Sequence, residues 1–185
     1  EAIQELIDNP IDHMRGRPAR IDVQISKDQK TALVFDHGGE GMGYEGLKKW
    51  IRWGTGEEHS ENDIGQYRVG GKLAAVFLSK GLDIISRKSG EEDIYRFTDP
   101  KWGTRTDLYA GQVRTIDRAE AEAEIDRFCK LERTEGFTHV RLNDLHDRRV
   151  DLGRLEKNLT ETYAPLIKGG LLTIALNGHV LMPLV

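Results

Sequence analysis

The stretch Glu5-Leu6-Ile7-Asp8-Asn9 decides the reading of this chain once it is set beside two glycine-rich segments downstream. These are Asp36-His37-Gly38-Gly39-Glu40-Gly41-Met42 and Gly65-Gln66-Tyr67-Arg68-Val69-Gly70-Gly71-Lys72. Residues four apart in a helix lie one above the other on the same face. Glu5 and Asn9 form such a pair, and Asp12 falls close to the same line. Ile3, Ile7, Ile11 and Met14 mark the other side as a buried stripe. One helix over 2–15 thus packs through its isoleucines and presents a carboxylate, an amide oxygen and a second carboxylate. Alone, that pattern also suits a solvated polar face. Hard oxygen ligands beside a potential general base suit magnesium and water activation, provided phosphate-binding elements stand nearby.

The two glycine segments are candidates for those elements. Glycines at 38, 39, 41 and 43 allow the backbone close to a ligand. The second segment feeds Leu73-Ala74-Ala75-Val76-Phe77-Leu78, a small-residue apolar helix. Free N–H groups and the dipole at a helix start favour an anion. Lys72 is unfavourable in a first helical turn by itself, which points to an anionic neighbour. Taken singly, the first segment also suits a strand-ending turn, and the second an ordinary loop.

Around these segments the chain alternates short strands and helices. Ile21, Val23 and Ile25 alternate with polar residues as a half-buried strand, and Thr31 to Asp36 follow as its hairpin partner. Pro10 predicts a kink in the first helix. Residues 44–53 read as a short helix and 54–63 as a mobile polar loop. Strands are expected at 83–87, 93–97, near 112–116 and over 136–142. Helices are expected at 117–131, with Asp117 as cap, and at 152–167. A last hairpin over 171–176 and 179–184 turns on Asn177-Gly178.

Composition narrows the class. The length of 185 residues suits one domain with a sizeable core. The single cysteine, Cys129, excludes an intrachain disulfide. No apolar run reaches membrane-span length. The chain opens inside an expected helix, so it reads as a fragment of a longer protein. A net charge of −4 gives no electrostatic footprint for nucleic acid, and the six histidines lack zinc-ligand spacing.

The three segments, in this order, resemble the boxes of the Bergerat-fold (GHKL) ATPases: gyrase B subunits, heat-shock chaperones of the Hsp-ninety class, MutL proteins and histidine kinases. Glu5 to Asn9 resembles their N-box, Asp36 to Met42 the D-x-G-x-G-M box, and Gly65 to Lys72 the second glycine box. Gly136-Phe137-Thr138 resembles the later strand whose threonine supports the adenine-binding aspartate. Within the superfamily the chain looks closest to the microrchidia ATPases. The resemblance implies an α+β two-layer sandwich, a mostly antiparallel, mixed sheet with helices on one face. It implies a single ATP-binding domain over 1–185 with an ATP lid at about 43–64.

The resemblance also assigns roles. Glu5 would be the general base. Asn9 would hold magnesium, with Asp12 beside it in the nucleotide site. Asp36 would accept from the adenine amino group, helped by Thr138. Gly38, Gly41 and Met42 would line the adenine pocket. Gly65, Gln66, Tyr67, Arg68, Val69, Gly70 and Gly71 would wrap the phosphates, with Lys72 approaching them. The implied cofactors are ATP and Mg2+, and the implied activity is slow ATP hydrolysis driving lid closure and dimerisation. A non-hydrolysing nucleotide switch and a histidine-kinase-type catalytic domain are the alternatives. A nucleotide-dependent homodimer is the implied assembly, in the cytoplasm or nucleus and without a membrane. A DNA or protein client would be met through regions outside this chain. Two departures stand out. The first box carries one extra residue, so either Asp36 keeps its role around an insertion or the frame slides to His37. The second box has Arg68 where a glycine is common.

Overall fold

The computed structural model describes residues 2–14, 16–51, 70–104, 112–146 and 150–183. Its centre is an eight-stranded sheet. The strands are β1 (Ala19–Ile25), β2 (Thr31–His37), β3 (Ser79–Arg87), β4 (Ile94–Asp99), β5 (Arg114–Ile116), β6 (Phe137–Leu145), β7 (Leu172–Leu176) and β8 (His179–Val180). Their order is β5-β4-β3-β6-β2-β1-β7-β8. Every neighbouring pair is antiparallel except β1 and β7. This is the mixed α+β sheet that the sequence implied.

Period-two alternation gives the sheet two different faces. Ile21, Val23, Val34, Ile84, Val140 and Ile174 join one cluster with α1 (Ala2–Asp12), α2 (Tyr44–Ile51), α3 (Gly70–Leu78) and α5 (Leu152–Lys168). Phe35, Ile85 and Phe137 point the other way, into a smaller cluster with Ala121 of α4 (Arg118–Glu124). Two ion pairs tie α4 to that reverse face, Arg96–Glu120 at 2.9 Å and Arg141–Glu124 at 2.7 Å.

Several boundaries differ from the sequence expectation. The helix expected over 117–131 ends at Glu124. Asp117 does cap it, accepting from Glu120 N at 2.8 Å. Ile125 is then extended, and the chain closes in i to i−3 turns around Phe128. A stripe of Ile125, Phe128 and Leu131 is buried equally well by those turns, and they carry Phe128 onto Phe137. The last strand stops after two residues, at Val180. Its turn is as expected, with Asn177 at φ 47° and Gly178 at φ 83°. β3 begins four residues earlier than the apolar pattern indicated, at Ser79.

The first helix runs from Ala2 through Pro10 to Asp12, with Ile3, Leu6 and Ile7 buried. It packs against α3. It is also tied to α5, where Tyr163 donates to Asp8 Oδ1 at 2.6 Å. Burial, followed by that carboxylate, pushes the Tyr163 phenol well above its usual range.

A polar row beneath the helical layer

Where β2, β6 and β3 lie side by side, three polar residues replace the apolar pattern of the helical face. Asp36 is paired with Thr138, and Thr138 with Ser86. Directly opposed residues in an antiparallel ladder share a face. Asp36 follows Val34 by two positions, so its carboxylate is on the side of α1. It is 5% exposed, and its Oδ1 has no hydrogen-bond partner. Burial drives its pKa up to about 7, against a small opposing effect of His37. Native structures rarely leave a buried carboxylate oxygen unpaired, so this atom marks a place for a donor.

His37, one position on, lies on the reverse face. Its ring stacks on Phe35 at 5.0 Å, and Nε2 is 2.9 Å from Asp22 Oδ2. Arg127 Nη1 donates to the other oxygen of Asp22 at 2.8 Å. Burial alone would raise the Asp22 pKa; His37, Arg127 and Arg20 outweigh it and hold the carboxyl below its usual range. The two candidates for the frame of the first box are thus separated by the sheet itself. Asp36 faces the helical layer and His37 faces away from it.

The loop after β2 is stitched to its neighbours by backbone. Gly38 N donates to Gly136 O at 2.9 Å, and Ser89 N donates to Glu40 O at 2.7 Å. Met42 N donates to Ser86 Oγ at 2.8 Å. Two positions require glycine. A Cβ on Gly39 would sit 2.5 Å from Asp36 Oδ2. One on Gly41, where φ is +63°, would sit 1.9 Å from Arg87 O. The extra residue of this box is therefore accommodated without moving Asp36 off its strand. Between this loop and the end of α1 lies a cleft of about 310 Å³, with Gly38, His13, Arg17 and Lys88 among its walls.

Glu5, Asn9 and Asp12 share one side of α1. Glu5 and Asp12 are exposed and Asn9 is half-buried. Neither Glu5 nor Asn9 has a side-chain hydrogen bond among the described residues, whereas Asp8 is engaged by Tyr163. Gly70, Gly71 and Lys72 are the first residues of α3, the helix against which α1 packs. Gly65, Gln66, Tyr67, Arg68 and Val69, and the lid positions 52–64, lie outside the described residues. Lid positions 44–51 form α2. Sequence reading missed Ser86, which is buried in β3 and touches both Met42 and Thr138. Its only signal was a hydroxyl directly after Ile84 and Ile85 in the expected strand. The Asp22–His37–Arg127 cluster was missed as well, since its members come from three separate segments.

Among the described residues no helix is long and apolar enough to cross a membrane. Residues 1–128 match the family model of histidine kinase-, DNA gyrase B-, and HSP90-like ATPases. Over 91 residues, 48% of the chain, the sequence is 36% identical to protein MICRORCHIDIA 2 of Arabidopsis thaliana and 38% identical to MICRORCHIDIA 3. Those matches span only 14% and 15% of the two plant proteins. The ATPase and transducer domains of DNA topoisomerase II from Balamuthia mandrillaris superpose with a TM-score of 0.65 at 18% identity. That likeness covers 98% of this chain and 48% of the other. The ATPase region of Saccharomyces cerevisiae topoisomerase II gives 0.63 at 16% identity, covering 97% and 48%. At such identities the structures show a shared fold.

Proposed function

The chain belongs to the histidine kinase-, DNA gyrase B-, and HSP90-like ATPase family, and from that premise we propose that it binds ATP with magnesium and hydrolyses it slowly. The observation that carries the proposal is the buried, unpartnered Oδ1 of Asp36, in a row with Thr138 and next to a glycine-dependent loop. A purine amino group is the donor such an acceptor lacks. Gly38, Gly41 and Met42 shape the loop around the base. In this reading the triphosphate extends toward the start of α3, where Gly65 to Gly71 offer main-chain N–H groups and Lys72 offers charge.

The α1 residues fit the remaining chemistry. Asn9 supplies a side-chain oxygen for the cation, with Asp12 one turn on. Bound magnesium would neutralise phosphate charge. Glu5, exposed and without a side-chain hydrogen bond among the described residues, takes a proton from the attacking water. Asp8 is instead held toward α5, where its Oδ1 accepts from the Tyr163 hydroxyl. The functional unit is one nucleotide-binding domain over 1–185, whose segment 43–64 closes over ATP and favours pairing with a second copy.

The test is a melting-temperature titration with magnesium and ATP, joined to phosphate release by the parent and by Glu5→Ala. A ligand that binds only the folded state raises the midpoint. Retained binding with abolished release in Glu5→Ala supports the hydrolytic reading. Binding without release from the parent leaves a nucleotide switch. An unchanged midpoint at millimolar ATP rejects the site.

A further inference from the structure

We propose that Ser86 sets the base specificity of the Asp36–Thr138 row by fixing the direction of the Thr138 hydroxyl. The inference rests on the reading of the row as the adenine end of an ATP site, and it follows from counting protons. A serine hydroxyl has one proton and two lone pairs. Ser86 Oγ lies 2.7 Å from the carbonyl oxygen of Phe137, which can only accept, so its proton is used there. Met42 N, at 2.8 Å, can only donate and takes one lone pair. Thr138 Oγ1 lies 3.1 Å away. With the serine proton committed, Thr138 is the donor in that contact.

The consequence falls on Thr138. Its single proton is turned toward Ser86, so only its lone pairs remain for a ligand. Beside it stands the unpartnered Oδ1 of Asp36. With Asp36 ionised, above pH 7, the row therefore offers acceptors. A 6-amino purine satisfies them, directly or through one water. A 6-oxo purine brings another acceptor and leaves the buried oxygens unpaired. Sites built to pair with a donor reject analogues that lack it. Without the Ser86 oxygen, the Thr138 proton is free to rotate toward a ligand and pair with a 6-oxo group. Ser86 is thus a positioning residue: it acts on the nucleotide through Thr138.

The experiment measures Kd for ATP and for inosine triphosphate, each with magnesium, by calorimetry. Parent, Ser86→Ala and Ser86→Cys are compared, with melting temperatures alongside. The parent is expected to favour ATP by at least about tenfold. Ser86→Ala narrows the ATP-to-inosine ratio by about fivefold, the worth of one net hydrogen bond. Ser86→Cys, close in volume but a weak hydrogen-bonding partner, narrows it less, and it serves if the alanine variant does not fold. A purely structural role would lower the melting temperature and weaken both nucleotides equally; an unchanged ratio in the folded variants overturns the proposal and leaves ATP binding standing. A parent that binds neither nucleotide overturns both readings.

Discussion

Asp36 on β2 and Thr138 on β6 stand directly opposite each other on the helical side of the sheet. One is an acid that burial keeps from ionising easily, with a pKa pushed up to about 7. The other is a hydroxyl whose only proton points elsewhere, toward Ser86. The pair is costly in the free protein and complementary to a ligand that donates.

That cost gives a pH signature. The folded Asp36 holds its proton up to about 7, while the unfolded group releases it near 3.8. Between those values the folded state binds more protons, so this residue's contribution to stability falls as pH rises and levels off above 7. Asp36→Asn removes the effect. Thermal melts from pH 5 to 8 should show the variant gaining on the parent as pH rises, by on the order of a few kcal/mol at the upper end. ATP affinity should fall at least about tenfold in the variant. In the parent that affinity should weaken below pH 7, where Asp36 takes up its proton. A variant that melts in step with the parent at every pH contradicts the assignment.

On the reverse face the sign is opposite. Asp22 is held below its usual range, so its favourable interactions are present above about 3.8 and are lost as pH falls through its lower folded value. Asp22→Ala leaves His37 and Arg127 without their shared partner. A loss of about 3 kcal/mol at pH 7 is expected from removing one member of a buried charged cluster. In chemical denaturation the difference from the parent should shrink as pH drops below 4.

Gly41→Ala tests the loop. The added methyl would meet Arg87 O at 1.9 Å on a backbone of positive φ, so the loop must move. Loss of ATP binding is expected, with a stability loss of about 1–3 kcal/mol. Gly90→Ala is the control, because its φ is also positive but open space surrounds it. ATP titration of the two variants separates contact from backbone strain: Gly90→Ala should bind as the parent does.

Tyr163→Phe frees Asp8 from α5. A stability loss of about 1–2 kcal/mol is expected for a hydrogen bond to a charged group. Phosphate release should also fall, because α1 carries Glu5 and Asn9. Unchanged release in a destabilised variant would show that the anchor serves the fold alone.

The sequence revealed elements better than pairings. The isoleucine stripe of α1 and the glycines of the loop were legible because their patterns are local. Thr138 beside Asp36 came through the family resemblance, whereas Ser86 in the same row was not legible, since ladder register joins segments far apart in the chain. The overlong helix at 117–131 shows a different limit. Apolar spacing of three suits an α-helix and a series of tight turns alike, and packing of Phe128 on Phe137 chose the turns. His37 looked like an alternative to Asp36 because a linear motif carries no sense of face.

That sense of face has an outcome for the strand as a whole. A slip of β2 by one residue would exchange carboxylate for imidazole beside Thr138 and break the backbone bonds that stitch the neighbouring loop. The grip of Asp22 on His37 from behind works as a ratchet pawl against that slip. The far side of the sheet thereby helps to hold Asp36 on the helical side.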